Sequence, residues 1–157
     1  HAVPPAERVA LRARYECARH AAWSDGATRA RAGAGFGGQA DLAALFTERA
    51  VALARPGGTV ALLLPAKLWR TLAGGGLRTL LPRETRLHTL EDWSHAPAAF
   101  DAVTYPSVLL ATRRADDPHR ATDAPIRVTV HVGRRVSTSH GSLADVALAD
   151  APGAPWL

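Results

Sequence analysis

Residues Asp41 to Pro65 constrain the fold of this chain more than any other stretch. Asp41 is a good helix N-cap, because a carboxylate accepts hydrogen bonds from the N–H groups that a first turn leaves unpaired. After it, Leu42, Leu45, Phe46, Ala50 and Leu53 recur at helical spacing. Pro56, Gly57 and Gly58 then end the helix, since either glycine can take the left-handed C-terminal conformation. Thr59 to Leu64 follow as an unbroken apolar run. A half-exposed strand alternates in polarity, so this run predicts a strand covered on both faces, as in the middle of a parallel sheet.

The flanking residues extend this pattern. Pro4 to Ala22 predict a helix opening at Pro4-Pro5, with a loose apolar stripe of Val9, Leu11, Tyr15 and Cys17. Arg8, Arg12 and Arg19 share one face of it by their spacing. Ser24 to Gly38 are Gly, Ala and Arg with little to bury, which predicts a mobile loop. Past Pro65, a short helix is expected over Leu77 to Leu81 after Gly74-Gly75-Gly76, then strands over Leu87 to Trp93 and Val103 to Thr112. Only about nine residues separate those two strands, whereas a parallel crossover needs roughly a dozen or more. The last strand is therefore expected to run antiparallel, which makes the sheet mixed. Beyond Asp116, Asp117-Pro118 and Asp123-Ala124-Pro125 are breakers, and Ile126 to Val132 alternate like a strand. Residues 117–157 read as a linker into a further domain or as an appended β element.

Composition removes several classes of function. A chain of 157 residues is one ordinary domain, and no apolar run approaches the ~20 residues that span a bilayer. With no secretion pattern at the start, a cytoplasmic protein away from membranes is expected. The single cysteine, Cys17, excludes a disulfide framework and a cysteine-rich zinc site. The seven histidines show no metal-ligand spacing, so no metal is expected and they read as surface residues. Methionine is absent, so His1 is not a translated start and the chain reads as a fragment. Eighteen arginines accompany one lysine, Lys67, a skew that with the abundant alanine fits a high-GC coding bias. The net charge of +5 suits a polyanionic partner without establishing one. Gly33 to Gly38 formally contain a G-x-G-x-x-G string, but no buried strand precedes it, and it is rejected as a cofactor turn. Ser94-His95 with Asp101 is too local for a catalytic triad.

Two segments carry a family resemblance. Ala40 to Trp69, ADLAALFTERAVALARPGGTVALLLPAKLW, resembles the region after the catalytic loop in restriction–modification type DNA adenine-N6 methyltransferases. That family shows the same register of an acidic-Leu pair, a helix with F-x-x-[KR]-A, PGG, an apolar strand and a proline. Ala99 to Arg114, AFDAVTYPSVLLATRR, resembles its later motif, a Phe before a loop leading into the reversed strand. The order and spacing of the two are more specific than either alone. The resemblance implies an α/β fold, a partial Rossmann-like methyltransferase sheet, with residues 39–116 as its second half and 1–38 as a basic arm and loop.

What the resemblance implies chemically is transfer of a methyl group from S-adenosylmethionine to the exocyclic amine of adenine in double-stranded DNA. The target base must be flipped out of the duplex and held by stacking and edge contacts. By resemblance, Phe100 is the second base-stacking aromatic, and Thr104, Tyr105 and Pro65 lie near the target base. Lys67, at the carboxyl end of the central strand, and Arg8, Arg12, Arg19, Arg29 and Arg31 are candidates for contact with the DNA backbone. The chain departs from the family in two respects. It has no [NDS]-P-P-[YFW] loop, the nearest string being Val3-Pro4-Pro5-Ala6, and no first strand with a Gly-rich cofactor turn. No catalytic or cofactor-binding residue is therefore assigned within it, and it is expected to start just after the catalytic loop. Its further partner would be the remainder of its own polypeptide, with a target-recognition domain. Two other readings stand beside this one: a methyltransferase acting on RNA, protein or a small molecule, and a non-catalytic nucleic-acid-binding module.

Overall fold

The computed structural model describes residues 4–19, 41–96, 105–115, 125–146 and 156. In chain order these form α1 (Pro5–Arg14), α2 (Glu16–Arg19), α3 (Leu42–Leu53), β1 (Thr59–Pro65), α4 (Lys67–Arg70), a single 3₁₀ turn (Leu72–Gly74), α5 (Gly75–Glu84), β2 (Thr85–His95), β3 (Pro106–Arg113), β4 (Ile126–Val132), β5 (Arg135–Gly141) and α6 (Leu143–Val146).

The Asp41–Pro65 unit forms as its residues dictate. Asp41 caps α3 by accepting the Ala43 N–H at 2.9 Å. Gly57 takes a left-handed φ of 76° after the helix, as the Pro-Gly-Gly turn requires. The turn is fastened to the sheet by the Gly57 N–H, which donates to the Arg113 carbonyl at 3.0 Å. The Arg113 guanidinium reaches back and donates to the carbonyls of Ala52 and Ala54, the last acceptors of α3.

One mixed sheet has the order β1-β3-β2-β4-β5. β3 runs antiparallel to both β1 and β2, so those two strands are parallel to each other although they do not touch. The reversal expected from the short connection between β2 and β3 is present. β4 lies parallel to β2, and β5 returns antiparallel through a two-residue turn at Gly133-Arg134. Residues 126–141 thus extend the sheet that the earlier strands begin.

Three expectations are corrected. The apolar run Thr59–Leu64 does not lie inside a parallel sheet covered on both faces. β1 pairs with β3 alone among the described strands, Val60 and Leu64 are buried, and Leu63 is 59% exposed on the other face. Side-chain polarity reports where a strand can be buried, and the outward residues here are apolar without being covered. Likewise, α3 buries Ala44, Leu45, Thr47 and Val51, whereas Leu42, Phe46 and Leu53 point outward. Its apolar spacing belonged to two faces. Finally, the N-terminal helix is interrupted at Tyr15, so Arg8 and Arg12 lie on α1 and Arg19 on α2 rather than on one continuous face. The stretch Ser24 to Gly38 lies outside the described residues.

The core sits between one face of the sheet and α2, α3, α4 and α5. It contains Val60, Leu64, Leu90, Leu109 and Val128 from the strands, and Leu68, Trp69, Leu77 and Leu81 from the helices. Trp156 closes it, its ring stacked on that of Trp69 with centroids 5.6 Å apart and its backbone N–H donating to the Trp69 carbonyl at 2.7 Å. The Glu48 carboxylate of α3 accepts the N–H groups of Glu16 and Cys17, which open α2. α2 in turn lies against α5 at Gly76, where a Cβ would stand 1.9 Å from the Cys17 carbonyl oxygen. Gly76→Ala should therefore destabilise the fold by about 1–3 kcal/mol through forced separation of the two helices. Gly57→Ala should cost about 1 kcal/mol, from its positive φ alone. Urea unfolding of both variants checks the order, and a Gly76→Ala protein as stable as the parent would refute the close approach.

Candidate functional site

Because β1 and β2 are parallel, their carboxyl ends emerge at one edge of the sheet, where open α/β sheets bind ligands. The reversed strand β3 begins at this edge. Pro106 stands opposite Pro65, and the Ala66 N–H donates to the Tyr105 carbonyl at 2.8 Å. Three of the residues singled out in the sequence, Pro65, Lys67 and Tyr105, are thus gathered here. The Tyr105 side chain is exposed, while Pro65 is half-buried. Phe100, Thr104, Arg29 and Arg31 lie outside the described residues, and so do the side chains of Arg8, Arg12 and Arg19.

Lys67 and Arg70 are three residues apart on α4. Each is paired with a carboxylate. Lys67 Nζ lies 2.8 Å from Asp41 Oδ2, which links the start of α4 to the cap of α3. Partial burial raises the Asp41 pKa, but the Lys67 hydrogen bond, the Ala43 N–H and the Lys67 charge outweigh it and hold the carboxyl below its ordinary 3.8. Arg70 Nη2 bonds to Asp92 Oδ2 and its Nη1 donates to Ser94 Oγ at 3.2 Å.

Asp92 is the centre of this edge. It is 1% exposed, near the carboxyl end of β2, and receives the Ser94 N–H at 2.8 Å and the Ser94 hydroxyl at 2.5 Å besides the Arg70 guanidinium. A buried carboxylate persists only when paired and hydrogen-bonded in this way. Beside it, Ser107 of β3 accepts from Trp69 Nε1 at 2.7 Å and donates to the Leu64 carbonyl at 2.9 Å, so its hydroxyl is engaged in both directions. The edge therefore presents two carboxylate-anchored cations and an exposed phenol above a rigid polar floor.

Sequence reasoning missed Arg70 and Asp92 and set Ser94 aside with the rejected triad; for Asp92 the reason is geometric. Simple alternation from Leu87 places residues 89, 91 and 93 inward. A bulge at His88 shifts the register, so Thr85, Leu87, Leu90, Asp92 and Ser94 share the core-side face instead. On the outer face Trp93 stacks on His131 at 4.0 Å, and Trp93 Nε1 donates to Glu91 Oε2 at 3.1 Å. His131 is only 14% exposed and so is no ordinary surface histidine. Among the described residues no group of three or more His, Cys, Asp or Glu side chains is placed to hold a metal ion. No helix among them is long and apolar enough to cross a membrane.

The chain matches no protein-family model, and no curated protein matches it.

Two outcomes follow from this edge. Arg70→Ala should cost on the order of 2 kcal/mol, less than the 3–5 of a wholly buried pair because the guanidinium is partly in water. An unchanged urea midpoint would show that Asp92 does not depend on Arg70. Asp41, its folded pKa depressed, contributes stability that is complete above the unfolded 3.8 and lost as pH falls through its folded value. Asp41→Asn keeps the cap but abolishes this acid-side loss, so the stability difference between the two proteins should shrink below about pH 4.

Proposed function

We propose that this chain is the second half of the catalytic domain of an S-adenosylmethionine-dependent DNA adenine-N6 methyltransferase. The observation that carries the reading is the sense of β3. It enters at the edge where β1 and β2 end, reversed between them, immediately after the segment that holds Phe100. That is where the resemblance expects the reversed strand and the wall of a base pocket. Pro65, on the one side, and Tyr105, preceded by Thr104, on the other then frame the mouth of the pocket, with Phe100 stacking on the flipped adenine.

In this reading the residues present hold the base and the DNA, while the methyl donor and the acceptors for the adenine amine belong to the rest of the polypeptide. S-adenosylmethionine supplies the transferred methyl group when bound there. Arg8, Arg12, Arg19, Arg29, Arg31 and Lys67 serve the phosphate backbone, which positions the protein without reading sequence. A target-recognition domain elsewhere in the polypeptide would read the site.

The full polypeptide encoded by the gene should carry an Asn-Pro-Pro-aromatic string upstream and transfer labelled methyl groups to duplex DNA. Phe100→Ala in that protein should reduce methylation of a cognate duplex by roughly tenfold or more, since base–aromatic stacking contributes about 1–3 kcal/mol. Unchanged methylation would remove Phe100 from the pocket. Absence of the string from the whole gene would sink the methyltransferase reading.

A further inference from the structure

Leu42, Phe46, Arg49 and Leu53 run along the side of α3 turned away from the core. Their intervals of four, three and four residues hold them within about 60° of one another around the helix, the spacing of a two-helix seam. Leu42, Phe46 and Leu53 are 75%, 63% and 69% exposed. Single exposed apolar residues are commonplace, but three in one register on a capped helix form a surface that water does not suit. Ala52, exposed beside the seam, allows a second backbone to approach closely.

The seam has a symmetry that selects its partner. Leu42 and Leu53 stand equally far from its midpoint, and so do Phe46 and Arg49. Turned end for end against another copy, Leu42 meets Leu53 of that copy and Phe46 meets its Arg49, twice over. The guanidinium then lies on an aromatic face, a favourable cation–π contact. A parallel arrangement would instead oppose Arg49 to Arg49. We propose that α3 is a self-association surface on which two copies of this chain pack antiparallel about a two-fold axis. Twelve residues of helix, about 18 Å, bury less than the ~800 Å² per partner of a standard interface. The dimer is accordingly a weak one.

Sedimentation velocity on the purified chain from 10 µM to 1 mM tests this. The mass should climb toward twice the monomer value. Phe46→Lys, which sets a cation against Arg49 of the copy, should weaken association at least tenfold, and adding Arg49→Glu to it should restore association. Under mild oxidation, a mixture of Leu42→Cys and Leu53→Cys chains should cross-link while each alone does so poorly; Cys17, buried, stays out. All these positions are on the helix surface, and circular dichroism verifies that the fold survives. A monomer at 1 mM, a dimer indifferent to Phe46→Lys, or Leu42→Cys chains that cross-link among themselves as readily as in the mixture would each overturn the proposal. None of these outcomes bears on methyl transfer.

Discussion

Everything in this molecule hangs on the antiparallel ladder that β3 makes on both of its sides. β1 and β2 meet only through it, and β4 and β5 are attached through β2. The two ends of β3 are also the two junctions with the helices. At its start Tyr105 accepts the N–H of Ala66, just before α4. At its finish Arg113 exchanges backbone hydrogen bonds with Gly57 and Gly58 and holds the final carbonyls of α3. Buried ladder groups have no water to fall back on, so the strand fixes the relative height of every element around it.

The arginine-rich composition acquires a physical meaning from these contacts. Several arginines join elements distant in sequence: Arg70 binds Asp92, Arg83 binds Glu16, Arg78 donates to the Leu68 carbonyl, and Arg113 closes α3. Burial lowers the Arg78 pKa to about 10, which still leaves it charged at neutral pH. A guanidinium has several donors in a fixed plane, which suits such bridging better than an ammonium does. A coding bias toward arginine therefore need not load the surface with idle charge, and part of the net positive charge is spoken for within the fold.

Where local chemistry decides the structure, the sequence was readable. Asp41, the Pro-Gly-Gly turn and the Ile126–Val132 alternation each mark their elements, and the short connection after β2 forces the reversal of β3. Pro65, Lys67 and Tyr105 could be gathered beforehand because they sit at strand ends, whose positions topology dictates. What escaped reading depends on neighbours. A bulge of one residue at His88 turned Asp92 inward and hid the polar floor of the site. β5, Arg135-Val-Ser-Thr-Ser-His-Gly, is a strand only because β4 offers it an edge, and it is exposed over nearly all its length. The open face of β1 and the outward stripe of α3 share one cause: an apolar residue records an opportunity for burial, not a covering element.

Trp156 follows every other described residue in sequence, yet it fills the core beside Trp69, Leu90, Leu109 and Ile126. A chain made vectorially must therefore keep that side of its core open, with the indole of Trp69 uncovered, while all five strands are already available to pair. The contact between Trp69 and Trp156, which closes a long loop at an entropic cost, is also one that seals the hydrophobic interior. Timing of synthesis is thereby written into the packing: the nascent sheet remains vulnerable to association through its apolar side until the segment bearing Trp156 arrives.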